Sequence, residues 1–189
     1  MPTPAARKTA MFGLIVLVFA LPPAEARGSA QLPAAGSAKA CAWLPVADIE
    51  ALYGTKVSAP PRGTDSPSLS TCTVTIAGQA IKVSSAPPGT PGVPTSVQQA
   101  LAASQAMAAN SKNAVKPEVK DYGDVGCTRT TISQNLDKTP LPKPIFSTAC
   151  FQVTGGYLIL TLVSNDASIA TDEHAKALLA KAAALRKRP

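Results

Sequence analysis

Between Ala149 and Ser164 two β-rich runs are joined by Gly155-Gly156. This pattern predicts a β-hairpin, because paired glycines tolerate the positive φ values of a type I′ turn. A two-residue loop would set Thr154 opposite Tyr157 and Cys150 opposite Thr161. The second run, Tyr157 to Val163, is apolar at almost every position. Such a strand belongs near the centre of a sheet, covered on at least part of both faces.

Further patterns fill in the rest of the chain. Pro45 to Gly54 carries a proline near its start, acids in its first turns and a terminal glycine, which predicts a short helix. Lys56-Val57 suggests a brief strand, and Ser58 to Ser68, with three prolines and a glycine, reads as a loop. Ser70 to Ile76 alternates cleanly, turns at Ala77-Gly78-Gln79 and continues through Ile81 and Val83 as a second strand. After a Pro-Gly loop from Pro87 to Pro94, Thr95 or Ser96 caps a helix running to about Asn110. Its small-residue stripe of Val97, Ala100, Leu101 and Ser104 suits a helix lying flat on a sheet. Strands are expected over Val115 to Val119 and Cys127 to Ile132, separated by a bend at Tyr122 to Gly126. Leu136 to Pro144 reads as a second Pro-rich loop. The chain closes with a helix from Thr171, its N-cap, to Lys187, burying Ala175, Leu178, Leu179, Ala182 and Leu185.

An offset of 78 residues carries Cys72 onto Cys150, Gly78 onto Gly156, Ile81 onto Ile159 and the helix 95–110 onto 173–188. The reading is a pseudo-repeat of two helix–hairpin units, about 41–110 and 111–188. Two such units make an α+β fold, a mostly antiparallel sheet with helices packed against it.

The N-terminus changes the picture of compartment. Arg7 and Lys8 precede the apolar run Met11 to Leu21, Pro22-Pro23 follow, and Ala24-Glu25-Ala26 offers small residues around a cleavage site. This is the layout of a signal peptide over 1–26. As a helix the run rises only about 16 Å, short of the roughly 30 Å of a bilayer core. Cleavage before Arg27 is preferred, with cleavage before Gln31 as the alternative. Residues 27–40 read as a disordered linker and 41–189 as a single domain. Cys41 is rejected as a lipidation site, being far beyond the apolar run and preceded by Lys39 two positions earlier.

The full chain carries a net charge of +7, which becomes +6 once Arg7, Lys8 and Glu25 are removed. Its only dense basic run, Arg186-Lys187-Arg188, is explained by the helix dipole rather than by nucleic acid. Four cysteines, Cys41, Cys72, Cys127 and Cys150, are an even set in an exported chain and argue for two disulfides. Zinc is not expected, since no C-x-x-C occurs and His174 is the only histidine. Of three possible pairings, Cys41–Cys72 with Cys127–Cys150 is favoured, because each closes a loop within one half of the chain.

A Cys before a short helix ending in Gly, a second Cys on a strand, the Tyr122-Gly123-Asp124-Val125-Gly126 turn, a β-branched hairpin and a C-terminal Ala/Leu/Lys helix resemble small bacterial cell-envelope proteins. Many of these are actinobacterial lipoproteins of unknown function, and the extracellular sensor domains of some receptor kinases look similar. The resemblance covers roughly residues 41–187 and implies the fold and an envelope location. It supplies no catalytic residues. This chain departs from it by lacking a lipidation cysteine and by placing Cys127 where a small residue is common.

No catalytic constellation emerges from the residues. His174 has no nucleophile motif to serve, Asp121 and Asp124 read as turn residues, and the remaining acids form no evident pair. The two Pro-rich loops are the better candidates, because stiff exposed segments can present Arg62, Lys138 or Lys143 to a partner. The expectation is a non-enzymatic periplasmic or secreted binding or structural module. It is expected to be a monomer, without cofactor or metal and without nucleic-acid partners, and not membrane-spanning after cleavage. A secreted hydrolase inhibitor using a Pro-rich loop is the alternative, and a small hydrolase the third reading.

Overall fold

Tyr157–Ser164 occupies the middle of a seven-stranded sheet. The computed structural model describes residues 38–110, 117–135 and 139–187. Its helices are α1 (Lys39–Ala42), α2 (Val46–Tyr53), α3 (Val97–Asn110) and α4 (Asp172–Arg186). Its strands are β1 (Arg62–Asp65), β2 (Ser70–Ile76), β3 (Gln79–Ala86), β4 (Glu118–Asp121), β5 (Val125–Gln134), β6 (Pro140–Gln152) and β7 (Tyr157–Ser164). The order across the sheet is β1-β2-β3-β7-β6-β5-β4, and every neighbouring pair is antiparallel. The fold is α+β, with disulfides Cys41–Cys72 and Cys127–Cys150.

The central strand earns its position through alternation. Leu158, Leu160 and Leu162 are fully buried on one face, while Tyr157, Ile159, Thr161 and Val163 are half-buried on the other. Helices α1, α2 and α4 cover the leucine face, where Ile49, Leu178 and Leu179 join Val74, Ile81 and Val83 in the main core. Helix α3 lies on the opposite face, packing Val97, Ala100 and Leu101 against Phe151. It does lie flat on the sheet, and Ser96 caps it by accepting the Gln99 N–H at 3.1 Å. The pseudo-repeat is not confirmed: α3 and α4 take opposite faces, and two helices and three strands precede α3 where four strands separate it from α4.

One row of residues crosses all seven strands on the leucine face. It runs Gly63, Cys72, Val83, Leu160, Cys150, Cys127, Lys120, so both disulfides start from the same line of the sheet. The adjacent row on the other face runs Arg62, Thr73, Lys82, Thr161, Ala149, Thr128, Val119. Here α3 covers only the β4–β6 end. Over β1–β3 no described element lies on top, and Thr71, Thr73, Thr75, Arg62 and Lys82 face outward.

Several local expectations are corrected. The hairpin register is shifted by one residue: Cys150 faces Leu160, not Thr161. A one-residue slip would move Cys150 and the leucines to opposite faces, so burial overrides the two-residue turn suggested by Gly155-Gly156. The loop is longer, closed by the Gly156 N–H donating to the Val153 carbonyl at 3.1 Å. The two-residue turn with positive φ at both positions is instead Ala77-Gly78 (48° and 74°), joining Ile76 to its partner Gln79.

Lys56-Val57 is not a strand, and strand β1 lies inside the segment read as a loop. The second expected Pro-rich loop is also partly strand, since β6 begins at Pro140. The folded domain starts earlier than Cys41, because Ala38 and Ala40 are buried and α1 begins at Lys39. The expected signal peptide, most of the linker and Lys138 lie outside the described residues.

Two measurements check this arrangement. Ala77 is a non-glycine residue at φ 48°. Ala77→Asn, which suits a type I′ turn, is expected to raise unfolding free energy by roughly 0.5–1 kcal/mol in urea titration. Replacing Cys127 and Cys150 by Ala together removes a cross-link over 23 residues. The expected loss is about 3 kcal/mol in the same titration, before any change in core packing.

Candidate functional site

The row next to the disulfide row, still on the leucine face, begins Asp65, Ser70, Ser85, Leu158. At this end of β2 and β3 the buried alternation gives way to hydroxyls. Ser70 and Ser85 are buried, and buried hydroxyls require partners.

Ser70 finds them in β1 and α1. Its hydroxyl donates to Asp65 Oδ1 and accepts the buried Ala40 N–H at 2.9 Å. Asp65 Oδ2 accepts the Lys39 N–H at 3.0 Å. Helix α1 is four residues long, too short to stand on its own propensity. These hydrogen bonds and the Cys41–Cys72 disulfide hold it against β2 instead. A Cβ on Gly63 would stand 2.5 Å from Ala38 Cβ and 2.8 Å from Cys41 Sγ, so only glycine lets α1 approach this closely. The result fixes Trp43, the only tryptophan in the chain, immediately after α1.

Ser85 is satisfied from the other side. Helix α4 starts at its Thr171 cap, whose hydroxyl accepts the His174 N–H at 3.2 Å, and its last turn delivers Arg186. Arg186 Nη1 donates to Ser85 Oγ at 3.0 Å and to the Tyr157 carbonyl at 3.5 Å. Nη2 donates to the Gly155 carbonyl. The helix-dipole explanation of the basic run therefore omits its main contact: Arg186 fastens the β6–β7 loop to β3.

Together these residues wall a cavity of about 410 Å³ lined by Lys39, Trp43, Asp65, Ser70, Ser85 and Arg186, among others. A smaller cavity of about 210 Å³ adjoins it across Pro87 and Gly155, with Pro94 and Tyr157 on its wall. The volume of the first falls within the range typical of small-ligand sites.

Electrostatics distinguish the charged groups. The Ser70 hydroxyl first, then the Lys39 N–H, hold the Asp65 carboxyl below its ordinary 3.8, so it is ionised at neutral pH. Burial pulls the Arg186 guanidinium below its usual value. Among the described residues no carboxylate pairs with Arg186; the ion pairs are Lys56–Glu50, Lys120–Asp172 and Lys181–Asp48.

The candidates singled out from the sequence sit elsewhere. Arg62 is exposed on β1 and faces away from this cavity, beside Thr73 on the open face. Lys143 is exposed near the start of β6, within the irregular stretch between the Ile132–Ile145 and Gln134–Pro140 pairs. Neither lies on the loop expected to present it, and the structure does not bring them together. Of the four cysteines, Cys41 and Cys72 bear directly on the cavity by tethering α1. His174 is half-buried with Nδ1 3.0 Å from the Ile169 carbonyl. Asp121 accepts the Gly123 N–H at 2.8 Å, the turn role expected of it.

Trp43, Asp65 and Arg186 were not singled out as site residues. The signal available was Ser85, which interrupts the buried series Ile81, Val83 with a hydroxyl. Comparison with protein-family models, curated proteins and solved structures finds no match to this chain.

Ser70→Ala is expected to cost roughly 1–3 kcal/mol in denaturant titration, because it leaves the buried Ala40 N–H without its acceptor. It should also return the Asp65 midpoint toward 3.8 in a carbon-detected NMR titration. With the folded-state value depressed, the Asp65 contribution to stability is present above the ordinary carboxyl value and disappears as pH falls through the lowered one.

Proposed function

We propose that this chain is an exported, monomeric, non-enzymatic binding module of the bacterial envelope or periplasm, and that the cavity beside Trp43 takes its ligand. The observation that carries the reading is the cavity itself: a fixed tryptophan, an ionised carboxylate and a guanidinium with no carboxylate partner among the described residues converge on a space of small-ligand size. Export is supported by the pattern of Arg7, Lys8, the apolar run and Ala24-Glu25-Ala26. Two disulfides in a chain of this size suit an oxidising compartment. No helix among the described residues is long and apolar enough to cross a membrane.

The binding chemistry follows from rigidity. Disulfide, hydrogen bonds and strand register hold the cavity walls before a ligand arrives, so little ordering cost attends binding. The alternative, a hydrolase inhibitor using a Pro-rich loop, has less support, because Arg62 and Lys143 sit in strands.

Two experiments test the proposal. Mass spectrometry of protein recovered from the periplasm or medium should find a mature N-terminus at Arg27 or Gln31. Titration with fractionated small molecules from the native envelope should give a saturable change in Trp43 fluorescence, free of interference from any second tryptophan. Catalytic turnover of a bound compound that disappears in Asp65→Asn would overturn the non-enzymatic assignment.

A further inference from the structure

The charges around the cavity point to the class of ligand, an inference that rests on the binding reading above. A guanidinium carries five N–H donors. Ser85, Tyr157 and Gly155 account for three of them on Arg186, leaving Nε–H and one Nη2–H without an acceptor among the described residues. Those two donors share an edge of the guanidinium when Gly155 takes the other Nη2 hydrogen, and such an edge matches the two oxygens of a carboxylate. The three protein acceptors are neutral, so they orient the group without cancelling its charge. A partly buried cation without a counter-charge gains from an anion supplied from outside.

A second charge narrows the choice. Asp65 lines the same cavity and keeps acceptor capacity beyond the Lys39 N–H and Ser70 hydroxyl. Its negative charge disfavours a ligand with several acidic groups and favours a donor, above all an ammonium, at that end. Lys39 also lines the cavity from α1, where its charge helps to hold Asp65 ionised and leaves part of that carboxylate's acceptor capacity for a ligand. Trp43, Leu69 and Pro87 line the same cavity and offer apolar surface to an aliphatic or aromatic side chain.

We infer that the cavity binds a small amphoteric acid, a free amino acid or short peptide, with its carboxylate on the open edge of Arg186, its ammonium toward Asp65 and its side chain against Trp43. The cavity of about 410 Å³ has the volume of a small-ligand site, and no bond is made or broken in this recognition.

The single Trp43 indole N–H gives one resolved NMR signal to follow. The probes are leucyl-leucine, N-acetyl-leucine, which lacks the ammonium, leucine methyl ester, which lacks the acid, and phenyl phosphate. Leucyl-leucine is expected to shift the signal saturably, with each blocked probe and phenyl phosphate weaker by roughly tenfold or more. Arg186→Lys keeps the charge but not the fork, and should weaken leucyl-leucine by a similar factor. Asp65→Asn should weaken leucyl-leucine while leaving N-acetyl-leucine unchanged or tighter.

Equal binding of leucyl-leucine and N-acetyl-leucine, or full affinity in Arg186→Lys, would overturn the assignment of ligand class. Absence of any Trp43 shift with amino acids and peptides at millimolar concentration would also overturn it. If envelope fractions still titrate Trp43 in that case, the binding reading stands without this ligand class. Silence from both sets of ligands removes the two together. Backbone amide spectra of both variants establish that each remains folded.

Discussion

A single line of residues, from Gly63 through Cys72, Val83, Leu160 and Cys150 to Cys127, orders this structure. Because strand side chains alternate between faces, fixing that line fixes every other line of the sheet. Leu160 at its centre is fully buried, and both disulfides take their strand anchor from it. One cross-link ties β5 to β6 within the sheet. The other pulls a helix of one turn down onto β2. The neighbouring line then delivers Asp65, Ser70 and Ser85 to the foot of that helix, so the cavity is a consequence of register before it is a consequence of any one side chain.

Much of this order was legible in the chain itself, and the reasons are physical. Ser70 to Ile76 alternates with period two, and Tyr157 to Val163 is apolar at all but Thr161, so β2 and the central place of β7 could be read directly. Helix α4 announces its start with Thr171 and acids in its first turn. Strand β1 was hidden because prolines at 60 and 61 and a glycine at 63 carry loop signals, while only four residues pair. At the start of β6, Pro140, Pro142 and Pro144 alternate, so their missing N–H groups fall on one edge. β7 offers no partner beyond Phe146–Ser164, which lets a strand tolerate three prolines.

The cavity was less legible because its residues gather from the ends of elements distant in sequence. Lys39 and Arg186 are nearly the full length of the folded domain apart, and only the antiparallel order of β1, β2, β3 and β7 brings α1 and the end of α4 to one corner. Arg186 also looked adequately explained by its place at a helix terminus. A residue can satisfy a local rule and still take its role from a tertiary neighbour, here Ser85 on a strand about a hundred residues earlier.

The borders of the sheet carry one more consequence. β1 and β4 are only four residues each, and they place Arg62, Asp65, Glu118, Lys120 and Asp121 along the two margins. The part of β5 that outruns β4 is bent by the bulge near Ile132. Short, charged and kinked margins deny a neighbouring chain the template it needs for edge-to-edge growth. A seven-stranded sheet with no described element over one face of β1–β3 would otherwise be an invitation to polymerise. The short charged margins thus oppose pairing of a further strand along a broad β surface.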